Sequence, residues 1–210
     1  MPNPLAAALG AVALAMLAAS PVSAETIESA TTPFNVDKCS HEDGTEPEDG
    51  GVWRCKGYGG IAVVMSEGDI RVYVSYGPRA LREPAAAETL AAPNGEGTSI
   101  EWRIARERDG KRRPFATIMR WSTIVIVGDA RHEDGTVRGE VLVVTRLGQG
   151  GVVGGVCHVG YVDGRQNANA DDLARQIADQ HARGFRCGKD KPIVLGEKGP
   201  GFSGPYGAGD

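Results

Sequence analysis

Aromatic residues are scarce, 6% of 210 positions, and the formal net charge is only −4. So small a charge argues against a general nucleic-acid binder, which carries a strong basic excess. Beyond residue 24 the longest uninterrupted apolar run is residues 61–65. A bilayer-crossing helix needs about 20 such residues, so no transmembrane anchor is expected. There are four cysteines, and no two stand as C-x-x-C, which removes the commonest zinc-ligand spacing. The glycine-rich stretch 148–155 lacks the Gly-Lys-Ser/Thr ending of a phosphate-binding loop. Gly201-Phe202-Ser203-Gly204 has the wrong spacing for a nucleophile elbow. No cofactor is implied.

The first 24 residues also lack any charged side chain. An apolar run over 5–19 is broken by Ser20-Pro21 and followed by Val22-Ser23-Ala24. A short apolar core with small residues before a cleavage point is the pattern of an export signal, here cut after Ala24. Export to the periplasm or the medium favours disulfides. Cys39, Cys55, Cys157 and Cys187 then read as two bridges, for which three pairings exist. The sequence-local choice, Cys39–Cys55 with Cys157–Cys187, is favoured because each closes a modest loop.

Period-2 alternation and turn dipeptides place strands over 52–58 and 61–66 around Gly59-Gly60, and over 69–76 after a turn at Glu67-Gly68. A short helix is expected over 84–90. A second hairpin spans 100–108 and 115–122 around Asp109-Gly110, and Trp102 and Trp121 can pair across it. Buried strands are expected over 124–127 and 137–147, and another within 150–163. Residues 170–183 read as an amphipathic helix capped by Asn169, with Asp171 and Asp172 at its positive end and Gly184 past its stop. The expected fold is α+β: an antiparallel sheet of about six to eight strands with a C-terminal helix packed on one face, stapled by disulfides. The domain plan is a signal peptide over 1–24, a flexible segment over 25–37, one domain over 38–187, and a disordered Gly/Pro-rich tail over 188–210.

Three constellations bear on chemistry. Cys157-His158 pairs a thiol with an imidazole, but neighbours on a strand point to opposite faces, with Val159 and Tyr161 expected beside Cys157. His41-Glu42-Asp43-Gly44-Thr45 recurs as His132-Glu133-Asp134-Gly135-Thr136. His41, Asp43, His132 and Asp134 are therefore candidate metal ligands, against the plainer reading of two Asp-Gly turns. Arg103, Arg106, Arg108, Lys111, Arg112, Arg113 and Arg120 crowd the second hairpin, a patch that would attract an anion or an acidic partner surface.

Trp53-Arg54-Cys55-Lys56-Gly57-Tyr58-Gly59-Gly60, Glu101-Trp102-Arg103, Val141-Leu142-Val143-Val144-Thr145 and Cys157-His158-Val159-Gly160-Tyr161-Val162-Asp163 resemble segments of an uncharacterised family of secreted or periplasmic bacterial proteins. The resemblance covers most of 35–187 and implies location without mechanism. No catalytic residue is assigned. The leading expectation is a non-enzymatic binding or inhibitor-type module whose partner is an anionic envelope component or another exported protein. The alternatives are a metal-assisted hydrolase built on the His-Glu-Asp loops and a passive structural protein of the envelope.

Overall fold

Alternating β-branched and aromatic residues fold into strands that bury one face each. The computed structural model describes residues 26–44, 50–128, 135–148 and 153–206. In chain order the strands are β1 (Thr26–Pro33), β2 (Ser40–Glu42), β3 (Val52–Lys56), β4 (Ala62–Gly68), β5 (Arg71–Tyr76), β6 (Asn94–Gly95), β7 (Ser99–Arg106), β8 (Arg112–Ile126), β9 (Thr136–Arg146), β10 (Cys157–Asp163) and β11 (Ile193–Leu195). The helix α1 (Ala170–Ile177) runs on into a wider π turn over Ala178–Ala182.

The fold is α+β, as expected, but its strands divide between two sheets. The larger has seven strands in the order β1-β7-β8-β9-β10-β11, with β6 pairing β8, and the smaller is β2-β3-β4-β5. Every pairing is antiparallel except β10 with β11. The small sheet packs Val63, Met65, Val72, Val74 and Tyr76 against Ile100, Trp102, Met119, Trp121 and Val143 of the large one. On the opposite face, Ile118, Leu142, Val144 and Val162 meet Ala174, Ile177, Ala178 and Ala182 of the helix segment. The large sheet is thus the middle of three layers, with a core on each side. Both favoured disulfides are present: Cys39–Cys55, with Cα atoms 4.7 Å apart, and Cys157–Cys187, at 5.7 Å.

Both chain ends differ from expectation. Residues 26–33 are an edge strand, β1, not a flexible segment. Its Thr-rich sequence suits a strand, and the Thr32 hydroxyl accepts the indole N–H of Trp102 at 2.8 Å. Residues 188–206 are likewise laid against the body. β11 joins the sheet, the Gly201 carbonyl accepts from Thr123 at 2.8 Å, and Ser203 Oγ accepts the Ala92 N–H at 2.9 Å. A Cβ on Gly139 would sit 1.9 Å from the Gly201 oxygen, so two glycines are what let these backbones meet. Composition undervalues such a tail because polar clamps to remote residues reinforce the modest apolar packing of Ile193, Leu195 and Phe202. Residues 1–24 and 207–210 lie outside the described residues, as does the expected cleavage after Ala24.

Smaller expectations shift too. The β4–β5 turn is at Asp69 and Ile70, both with positive φ (49° and 58°), not at Glu67-Gly68. A two-residue hairpin wants that geometry, although a β-branched residue adopts it at a cost. Residues 84–90 begin with a 3-10 turn, Pro84–Ala87, in place of an α-helix. Asn169 caps α1 through its backbone carbonyl alone. Residues 124–126 extend β8 along β9, and Ile124, Ile126 and the following Val127 are exposed rather than buried. Trp102 and Trp121 do not pair: Trp102 lies opposite Thr117 and meets the Tyr58 and Tyr76 rings, whereas Trp121 meets His158.

Candidate functional site

The seven cations of the second hairpin do not form one patch. Arg103 is only 8% exposed and forks onto Asp179 in the π turn, Nε at 2.8 Å and Nη2 at 2.6 Å. Arg120 bridges Glu140 on β9 and Asp171 on α1, the latter at 2.7 Å. Arg106 and Arg112 share Glu28 of β1, at 3.3 and 2.6 Å. Lys111 pairs with Asp109 and Arg113 with Glu107, each at 2.7 Å, and Arg108 is exposed. Carboxylates from β1, β9 and the helix segment are invisible as partners in the sequence because they are remote along the chain. Most of these charges therefore tie β1 and the helix to the sheet. The exposed pairs add little stability, because solvent screens them and holding two long side chains together costs entropy.

The metal reading finds partial geometry. His41 ends up at β2 with Nδ1 3.6 Å from Asp43 Oδ1, and its ring stacks on Trp53 at 4.5 Å. His132 and Asp134 lie outside the described residues. Among the described residues no group of three or more His, Cys, Asp or Glu side chains gathers into a metal-sized cluster.

Cys157 and His158 part company, but not by simple alternation. A bulge between His158 and Gly160 adds a residue to β10. Cys157 and Val159 face the helix, while Tyr161, expected beside Cys157, swings to the His158 side. His158 is 1% exposed, and its Nδ1 lies 3.0 Å from the Tyr161 hydroxyl. Burial pushes its pKa down to about 3, so the ring is neutral at ordinary pH. Its backbone N–H donates to Glu88, whose carboxyl is raised by burial. The Cys157 sulfur is spent in its bridge. No thiol–imidazole pair exists here.

The glycine-rich stretch carries an anion site that the chain fills itself. The backbone N–H groups of Gly154, Gly155 and Val156 donate to one carboxylate oxygen of Glu83, at 2.8, 2.9 and 3.0 Å. Consecutive amides curving around an anion make a nest. Here the anion is a buried side chain, so this loop has a fixed structural duty rather than the free connection its composition suggests.

A different cleft is the best candidate for a ligand. It opens where the β7–β8 hairpin meets the end of the helix segment, with a volume of about 200 Å³, and Ala105, Glu107, Arg113, Phe115, Arg146 and Arg183 line it. Strand pairing sets Ala116 opposite Arg146, which brings Arg113 and Arg146 to the same end of the sheet. The π turn ends just before Arg183, whose guanidinium lies 4.9 Å from the centre of the Phe115 ring. Arg146 is held in place by donating from Nη1 to the Gly155 carbonyl at 2.7 Å. Its buried Nε has no hydrogen-bond partner among the described residues. Of these cations only Arg113 belongs to the patch read from sequence. Arg146 reads there as part of a strand and Arg183 as a helix stop. The signal was their charge, but only strand register and helix length bring them together.

No protein-family model, no curated protein and no solved structure matches this chain. Among the described residues no helix is long and apolar enough to cross a membrane.

Proposed function

We propose that this is an exported, non-enzymatic binding module of the bacterial periplasm or exterior. It recognises an anionic envelope component through the arginine-lined cleft. The observation that carries this reading is the convergence of Arg113, Arg146 and Arg183 on one small opening with an aromatic wall. Two disulfides support the compartment, since such bridges persist where the surroundings are oxidising. An acidic patch on another exported protein is the other partner the same charges suit.

The test is retention of the oxidised protein on isolated cell envelopes. Binding that is lost in moderate salt, and lost on charge reversal of Arg113 and Arg183 together, supports the cleft as the contact. Retention that survives both treatments overturns it and leaves a passive structural component of the wall. The intact mass of the recovered protein reads the compartment: a chain beginning at Glu25, with no alkylation before reduction, is the expected result.

A further inference from the structure

We infer that the arginine cleft is a site for a phosphate group in its dianionic, monoester-like form; this rests on the binding reading above and names its ligand chemistry. Three guanidinium groups reach the opening from three elements: Arg113 from β8, Arg146 from β9 and Arg183 from the turn after the π segment. A planar carboxylate has two oxygens, and a single arginine fork covers both. Donors arriving from three sides instead suit a tetrahedral group with three free oxygens.

Arg146 gives the strongest geometric support. Its Nη1 is committed to the Gly155 carbonyl, which fixes the plane of the guanidinium, and its Nε is buried without a partner among the described residues. A buried donor left unpaired costs roughly 1–3 kcal/mol, which an incoming oxyanion would recover. Arg113 already holds the carboxylate of Glu107, which also lines the cleft, at 2.7 Å, so an incoming phosphate must displace that carboxylate or share the guanidinium with it, and Arg146 and Arg183 carry the larger part of the contact. Phe115, under Arg183, supplies an apolar wall against which the stem of an ester can lie. The volume of about 200 Å³ admits one such head group, not a polymer segment.

Isothermal titration of the oxidised protein with phenyl phosphate, inorganic phosphate and benzoate tests this. The expected order places phenyl phosphate at least tenfold tighter than benzoate. Inorganic phosphate binding more weakly than phenyl phosphate identifies an esterified group, and binding as tightly identifies free phosphate. Arg146→Lys keeps the charge but loses Nε and the fork, and should weaken phenyl phosphate at least tenfold. Arg113→Gln, at an exposed position that folding tolerates, should weaken it severalfold. Arg112→Gln, which removes a cation paired with Glu28 outside the cleft, should leave it unchanged. Equal affinity for benzoate, or unaltered affinity in Arg146→Lys with an unchanged melting temperature, overturns the inference. Cleft-dependent retention on envelopes without phosphate binding overturns this ligand but not the binding module. Phosphate binding without envelope retention overturns the module's proposed partner but not this ligand.

Discussion

His158 is the residue whose burial has the clearest consequence in solution. Its neighbours are the Trp121 ring, the Tyr161 hydroxyl and the carboxylate of Glu88, which accepts its backbone N–H. Neither Nε2 of His158 nor the indole N–H of Trp121 finds a partner among the described residues, so nothing at that end stabilises an imidazolium. The folded pKa is depressed to about 3 from 6.5. Between those values the unfolded chain binds a proton that the folded chain refuses. The stability due to the neutral ring is therefore complete above pH 6.5 and is lost as pH falls toward 3, by about 1 kcal/mol per pH unit. The raised carboxyl of Glu88 opposes this, because it favours the folded state as its proton is taken up. Denaturant midpoints measured from pH 7 to pH 4 should fall for the natural protein. The fall should be flatter in His158→Gln. Equal slopes in the two proteins would rule the histidine out as the cause.

Among the elements, the most informative is the C-terminal stretch. Asp163 is 2% exposed and ends β10. Its Oδ1 accepts from the backbone of Arg165 and Gln166 at 2.9 and 3.0 Å, and its Oδ2 accepts from Gly199 at 2.8 Å. Asn167 adds a second clamp: its amide donates to the carbonyls of Asp163 and Glu197, and its Oδ1 accepts the Glu197 N–H. Asp163→Ala leaves three amides without their charged acceptor. It should cost about 3 kcal/mol, given that hydrogen bonds to charged groups contribute roughly 1.5–3 kcal/mol each and do not add fully. It should also open residues 188–206 to a protease. Denaturation midpoints and limited proteolysis read both effects, and an Ala variant as stable and as resistant as the parent would show that the clamp is dispensable. The same element shows where sequence reasoning stops. Strands with clean alternation, such as β5 and β7, the amphipathic helical segment beginning at Ala170, and the sequence-local disulfides were all legible, because each signal is local. The tail was not, since its order comes from Asp163, Asn167 and the Gly139–Gly201 contact, all remote in the chain. Nor was the cleft: β8–β9 register and the end of the π turn bring Arg146 and Arg183 to Arg113, and composition holds no trace of either.

At the scale of the whole molecule, two cores share one sheet. Trp102 and Trp121 report on the side facing the small sheet, and the α1 amides on the opposite side. β7 and β10 supply buried residues to both clusters: Trp102 and Ala105 from β7, Tyr161 and Val162 from β10. Each face also has its own staple, Cys39–Cys55 beside the small sheet and Cys157–Cys187 from β10 to the segment beyond the helix. If either layer could peel away alone, the shared strands would keep one face buried and expose the other. The exposed face would be a broad apolar surface, and at about 25 cal/mol per Å² its loss from burial is too costly for such a half-folded state to be populated. Unfolding should therefore be a single transition, with tryptophan fluorescence and hydrogen exchange of the α1 amides giving the same midpoint. Replacing Cys157 and Cys187 by Ser should lower both midpoints together, by about 3 kcal/mol of stability, although the bridge touches only one face. Separate midpoints for the two probes in that variant would show that the layers fold independently, and that the middle sheet supports the helix without depending on it.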